Sequence, residues 1–278
     1  IRLGLNEMIS FGFKGFLIVT PTIILTLVLV HKSRSYFKLN SNLATLIAVG
    51  TSICGATAIV ATAPAINAKK EEIAYAIANI SIFGIFAMMI YPFIAHYVFP
   101  ENLVSAGIFL GASIHETGQV AGAGMIYMDQ YSSPKVFDVS TVTKLVRNTA
   151  MLVVIPYLSF NHANSRTNNL PLGKRLYQIF PFFILGFLFF GLVRTFGDID
   201  LDQNSKAFGL LNAHDWNWLI QKINIMSKFL LTVAMAAIGL STDFKKLKHI
   251  GIYVFYYGLA IALFVGVISL LATLLFFR

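Results

Sequence analysis

The sequence has few charged residues and a single cysteine. Charged side chains make up 12% of the 278 residues, with 12 Asp and Glu against 21 Lys and Arg. One Cys excludes an intrachain disulfide, and the sequence has no Cys and His cluster with the spacing of a structural metal site. Because 57% of the residues are hydrophobic, the chain is too apolar for a soluble domain of this length. We therefore expect an all-α polytopic membrane protein with no metal and no bound cofactor.

The net charge of +9 does not indicate nucleic-acid binding. Most Lys and Arg residues lie in short connections, such as those at 31–34, 173–175 and 245–248. The positive-inside rule and anionic lipid headgroups explain basic connections of this kind. The expected partners are membrane lipid, a small anionic substrate and further copies of the chain in a homo-oligomer.

Residues 41–67 form an apolar segment that is unusually rich in glycine and hydroxyl side chains. Gly50 and Gly55 flank Thr51 and Ser52, whose side chains can hydrogen-bond locally and let a helix open. Irregular backbone at membrane depth is tolerated only where it is buried in protein or lines a cavity, so a break here predicts a binding site near the bilayer midplane. The alternative is a continuous helix whose small residues let a neighbouring helix pack closely.

The order of the predicted spans repeats. A plain span, an interrupted span and a plain span occur twice, at 13–30, 41–67 and 73–99, and again at 176–196, 216–241 and 251–277. Two further spans, 103–128 and 139–160, precede the second triplet. If one or two N-terminal spans are missing, the complete protein has two five-helix repeats, and an odd number of helices makes them inverted. We accordingly divide the membrane domain into 1–99 and 100–278.

His115, Glu116 and Gln119 lie in the predicted span 103–128 and cannot face lipid. The sequence HETGQ at 115–119 differs from the zinc motif HExxH at its second ligand, which argues against a metalloprotease site. On a continuous helix His115 and Gln119 share a face, and a His beside a Glu can carry protons near neutral pH. We predict proton coupling at these three residues. The structural alternative is a buried hydrogen-bond network whose members satisfy one another.

Lys144 and Arg147 are three residues apart and therefore lie on one helix face. Two cations there repel each other unless something negative joins them, and either an anionic substrate or Glu116 could do so. Alternatively, both side chains reach the lipid headgroups. The predicted substrate-binding residues combine this pair with the interrupted segment, and they are Thr51, Ser52, Cys54, Gly55, Thr57, Lys144 and Arg147.

Four motifs carry a resemblance to a known family, and they are GTSICGATAI at 50–59, GASIHETGQV at 111–120, TKLVR at 143–147 and FLLTVAMAAIGL at 229–240. With these motifs the chain resembles the YeiH-like family of bacterial inner-membrane proteins, which is associated with sulfate export and is similar in fold to the bile acid:sodium symporters. The resemblance implies two inverted five-helix repeats in which the fourth and ninth helices are broken and cross. The segments 41–67 and 216–241 occupy those positions.

The sequence therefore predicts a secondary transporter of a small anion, either sulfate or an organic anion such as a sulfonate. It would work by alternating access with H⁺ or Na⁺ as the coupling ion, and it would not be an enzyme. The alternatives are a membrane enzyme with His115 and Glu116 as acid and base, a cation/proton antiporter and a channel. The sequence offers no convincing nucleophile or metal set for an enzyme, and the repeat favours a rocking motion over a fixed pore.

Overall fold

A computed structural model describes residues 5–37, 39–161, 183–241 and 252–277. Apart from one short hairpin, the regular structure of these residues is helical. Three of the described helices contain a segment that is long and apolar enough to cross a bilayer. These segments are Glu7–Ser33, Lys70–Val98 and Tyr253–Phe277. The prediction of an all-α membrane protein is confirmed at this level.

The helices in chain order are α1 Leu5–Ser33, α2 Ser41–Val49, α3 Ala56–Thr62, α4 Lys70–Val98, α5 Leu103–Ser113, α6 Thr117–Tyr131, α7 Pro134–Thr149, α8 Met151–Asn161, α9 Phe183–Asn204, α10 Ala213–Ser241 and α11 Ile252–Phe277. A π-helical turn, Gly50–Cys54, follows α2, and a 3₁₀ turn, Ala63–Ile66, follows α3. Between α9 and α10, the two-residue strands β1 Lys206–Ala207 and β2 Leu211–Asn212 pair antiparallel. The basic connections predicted at 173–175 and 245–248 lie outside the described residues.

The helical segment at 41–67 is interrupted at Gly50–Gly55. The backbone N–H of Gly55 donates to the carbonyl of Gly50 at 2.9 Å, which is the i→i+5 hydrogen bond of a π-helix. Gly55 has φ 69° and ψ −133°, a conformation that is open to glycine and strained for residues with a side chain. Gly55 therefore separates α2 and its π-helical turn from α3.

A second interruption occurs where the sequence predicted a continuous span. Residues 103–128 form α5 and α6, which are joined by an extended link at Ile114–Glu116. The prediction that His115 and Gln119 share a helix face is wrong, because His115 lies in this link. Glu116 and Gln119 form a capping box, which satisfies N–H groups at the start of α6 and lets a new helix begin there.

The predicted interruption of 216–241 is wrong, because α10 is one continuous helix from Ala213 to Ser241. The apolar run at 229–240 contains one glycine, near its end, and is otherwise made mostly of strong helix formers such as Ala, Leu and Met. The segment at 50–55 instead has a glycine at each end with Thr51 and Ser52 between them. Because α10 is unbroken, 41–67 and 216–241 are not two broken helices that cross. The inverted repeat and the division into 1–99 and 100–278 stay predictions.

Helix α7 lies at the centre of the described bundle, against α1, α5, α6 and the π-helical turn. Its approach to α5 requires glycine at position 111, because a Cβ there would collide with the carbonyl oxygen of Ser140 and the side chain of Thr143. Lipid supplies no hydrophobic force between helices, so close packing of small residues and interhelical hydrogen bonds hold them together. The polar residues of α7 are thereby brought up to both helix interruptions.

We predict that Gly111→Ala destabilises the protein and that Gly12→Ala does not. A methyl group at position 111 meets backbone, and overpacking of this kind costs about 1–3 kcal/mol. At Gly12 the nearest atom to an added Cβ is a Val146 methyl at 3.6 Å, an ordinary contact. Thermal unfolding of both variants in detergent measures the difference, and equal melting temperatures would contradict the close packing of α5 on α7.

Candidate functional site

The two helix interruptions meet around two cations of α7. Lys144 and Arg147 are both completely buried, with 0% of their surface exposed. Both side chains point to the interior, so the alternative in which they reach the lipid headgroups does not hold. What they contact decides what the site can do.

The Lys144 ammonium contacts backbone carbonyls from both interruptions. Its Nζ donates to the carbonyl of Ile53 at 2.9 Å, to that of Ile114 at 3.0 Å and also to that of His115. Three acceptors require three N–H donors, which a lysine supplies only in its charged form. One ammonium therefore joins the π-helical turn to the link between α5 and α6.

The Arg147 guanidinium makes the same connection one turn further along α7. On the side of the π-helical turn, Nε donates to the carbonyl of Ser52 at 2.6 Å and Nη2 donates to that of Thr51. On the other side, Nη1 donates to the carbonyls of Ala112 at 2.7 Å and Ile114 at 2.9 Å. Four of its five donors are used, and each is directed at a carbonyl near the end of an interrupted helix.

The charge of the two cations is balanced partly by backbone. The C-terminus of a helix carries about half a negative charge, so the ends of the π-helical turn and of α5 together offset about one of the two positive charges. Among the described residues, the ion pairs are Arg194 with Asp198 and His214 with Asp215. Lys144 and Arg147 therefore have no carboxylate in direct contact within the described part of the chain.

Glu116 lies on the other side of the interruptions, where the next helices begin. Its carboxylate caps α6 and is within reach of the backbone N–H of Ala56, the first residue of α3. Gly55 makes room for it, since a Cβ at Gly55 would lie 3.2 Å from the Cβ of Glu116. Glu116 is half-buried and close enough to Lys144 for the two charges to interact. The carboxylate thus lies at helix starts and the cations at helix ends, as the helix dipole favours.

Several buried polar atoms around the cations have no hydrogen-bond partner among the described residues. They are Oγ of Ser52, both ring nitrogens of His115, Oγ1 of Thr143 and Oδ1 of Asn148. The Thr51 carbonyl is near enough to the His115 ring to influence it, but it makes no hydrogen bond to either nitrogen. Leaving such an atom unsatisfied costs about 1–3 kcal/mol. Their concentration at the interruptions favours a place for a polar ligand.

The predicted substrate-binding residues of the interrupted segment lie together, but in different environments. Thr51 and Ser52 are buried and offer their carbonyls to Arg147. The Cys54 thiol is buried, with Sγ 3.2 Å from Sδ of Met151 in α8. Thr57 is exposed in the first turn of α3, two residues after Gly55.

Gln119, which was predicted to take part in proton coupling, connects helices in this structure. Its Nε2 donates to the carbonyl of Ser81 in α4 at 3.1 Å, and its Oε1 accepts from the backbone N–H of Glu116 at 3.3 Å. Gly84 of α4 leaves the space for the amide, because a Cβ there would overlap it. These contacts favour a structural role for Gln119, whereas His115 and Glu116 keep groups that are free to act.

Sequence reasoning missed the groups that hold the cations, because they are backbone carbonyls. Nothing in the residue types of Ile53, Ala112 or Ile114 marks them as acceptors. The interruption before α6 did leave a signal, since Glu116 and Gln119 have the three-residue spacing of a capping box. The usual first residue of that motif is Ser or Thr, and Glu in its place conceals it.

Comparison with known proteins identifies the family. A family model described as "Conserved hypothetical protein 698" matches residues 1–258. The chain is 31% identical over 249 residues to a UPF0324 membrane protein of Streptococcus agalactiae serotype V, an alignment that covers 90% of the chain and 69% of the relative. The chain belongs to the UPF0324 family. It is an integral protein of the bacterial membrane, and the resemblance to the YeiH-like family is confirmed.

Two further UPF0324 membrane proteins are similar to the chain along most of its length. The relative from Streptococcus pneumoniae serotype 4 is 32% identical over 241 residues, which is 87% of the chain and 67% of the relative. That from Fusobacterium nucleatum is 31% identical over 252 residues, which is 88% of the chain and 70% of the relative. No solved structure matches the chain significantly.

We predict that Arg147→Met strongly destabilises the protein, while Arg194→Met has little effect. The first change removes the side-chain donor from the carbonyls of Thr51, Ser52 and Ala112, while that of Ile114 keeps Lys144, and the expected loss of unfolding free energy is about 3 kcal/mol or more. The second removes an ion pair between neighbouring turns of α9, worth about 0.5 kcal/mol. Thermal unfolding of the two purified variants tests this, and an equal, small effect would mean that Arg147 does not hold the interruptions.

Proposed function

We propose that this protein is an ion-coupled secondary transporter that moves a small anion by alternating access. The observation that carries the proposal is the meeting of two interrupted helices at buried Lys144 and Arg147, beside the half-buried carboxylate of Glu116. Discontinuous helices and ionisable side chains inside a membrane protein are typical of transport sites. In this proposal the protein is not an enzyme and requires no cofactor.

The balance of charge around the interruptions supports an anion as the substrate. The ends of the π-helical turn and α5 offset about one of the two positive charges of Lys144 and Arg147. Glu116 contributes one negative charge, which the helix starts that it caps offset in the same way. About one positive charge remains, and in a weakly polarisable interior it attracts a small anion more strongly than it would in water.

The unpartnered polar atoms support an oxyanion within that class. The Ser52 hydroxyl can donate a hydrogen bond, and the His115 ring can donate from one nitrogen when neutral and from both when protonated. Sulfate and sulfonate groups offer several charged acceptor oxygens, and hydrogen bonds to charged acceptors are the stronger kind. Because the N–H groups of Lys144 and Arg147 already face carbonyls, we propose that these cations attract the anion through their charge while Ser52, His115 and Thr57 contact it.

A reconstitution experiment tests this function. The complete protein is purified, reconstituted into liposomes loaded with unlabelled sulfate or an organic sulfonate, and given the same anion in radiolabelled form outside. Saturable exchange that is absent from empty liposomes, and a thermal shift with the same anions in detergent, are the expected results. Exchange of neither anion would overturn the proposal. Chemical conversion of the added compound would support the alternative in which His115 and Glu116 act as acid and base in an enzyme.

We further predict that Glu116→Gln uncouples transport from the pH gradient and leaves exchange intact. The carboxylate is close enough to Lys144 for the two charges to interact, so an arriving anion competes for the same positive charge and favours uptake of a proton. Uptake driven by an imposed pH gradient is expected to fall to the level seen without a gradient. Glu101→Gln is the control, because Glu101 is exposed in the connection between α4 and α5. If uptake by the Glu116 variant still followed the gradient, Glu116 would have a structural role.

A further inference from the structure

The carbonyl oxygens around Lys144 have the chemistry of a monovalent-cation site. Those of Ile53, Ile114 and His115 converge on one point, and they come from two interrupted helices whose ends carry partial negative charge. Backbone carbonyls arranged in this way replace the hydration shell of K⁺ in channels, and carbonyls of unwound helices bind Na⁺ in transporters. Here the occupant is the ammonium group of the chain itself.

We propose that these three carbonyls form a monovalent-cation site that Lys144 fills internally, so that the protein binds neither Na⁺ nor K⁺ there. The burial, the hydrogen bonds and the lack of a carboxylate partner of Lys144 within the described part of the chain all agree with this role. It is fully buried, its three N–H groups match the three oxygens, and no carboxylate among the described residues pairs with it directly. A mobile cation at this point would face the same carbonyls and the same buried surroundings.

Arg147 keeps the carbonyls in position independently of Lys144. It shares the carbonyl of Ile114, and it holds those of Ser52 and Ala112, which are close in sequence to Ile53 and Ile114. Removing the ammonium therefore leaves an arranged set of oxygens. A variant without the ammonium should bind a small cation from solution at the same place.

The occupied site also bears on the choice between H⁺ and Na⁺ as coupling ion. A second cation on the same carbonyls would meet the charge of Lys144 at close range in a region of low dielectric, where like charges repel strongly. The proton, which Glu116 can accept, is then the remaining coupling ion. This last step rests on the proposed transport function, whereas the cation site itself does not.

The variant Lys144→Met tests the proposal. Met retains the aliphatic chain and ends short of the position of Nζ, so the change removes the ammonium and preserves most of the packing. In N-methylglucamine chloride, whose cation is too large to enter, the melting temperature is expected to fall by about 10 °C. Replacing that salt at constant ionic strength by ammonium, potassium or sodium chloride should raise it again by about 5 °C, in a saturable manner.

Three further proteins make the result decisive. The wild type and Lys144→Arg both keep a tethered cation. The melting temperature of each should therefore not change when one of these chlorides replaces another. Lys144→Ala removes the whole side chain and should respond to the small cations as the Met variant does. The proposal is overturned if the Met and Ala variants melt at the same temperature in all the salts, or if neither folds in any of them. Since no transport is measured, a failure of the proposed anion exchange would not affect this outcome.

Discussion

The contact between buried cations and backbone carbonyls is what allows the helices of this protein to be interrupted. A helix that ends inside a membrane leaves up to four carbonyl groups without a partner, and the surrounding lipid cannot supply one. Lys144 and Arg147 provide seven N–H to carbonyl contacts to the two helix ends. Gly111 serves this contact, because it allows the close approach of α5 to α7 from which the two side chains extend.

Both interruptions depend on the same two side chains, which restricts how they can move. A displacement of the π-helical turn relative to α7 would weaken contacts to Lys144 and Arg147, and these side chains also hold the link before α6. Helix α4 is tied to α6 through Gln119 and Ser81. A conformational change at one interruption is therefore coupled mechanically to the other, which suits a motion of packed helices as one body and not separate movements of single helices.

The sequence indicated which residues lie at the interruption better than it indicated what they contact. Gly55 and its neighbours indicated an interruption because glycine next to hydroxyl side chains lets a helix open, and Lys144 and Arg147 were recognised because two cations on one helix face of an apolar span need a negative partner. Their partners could not be found in the same way, since every residue has a carbonyl and only the fold decides which ones are left free. The interruption expected in 216–241 was inferred by matching the two halves of the chain. The helix propensity of the residues themselves is a stronger indication, and α10 is uninterrupted as that propensity favours.

The position of Cys54 makes the chain its own reporter of motion at the interruption. It is the single cysteine of the sequence, it ends the π-helical turn, and its thiol is buried against Met151 of α8. A thiol must be exposed as thiolate to react, so a maleimide can modify Cys54 only when a local opening, such as separation of the turn from α8, exposes it. The rate of labelling of Cys54 thus reports how often the end of the π-helical turn opens, and no cysteine has to be introduced to measure it.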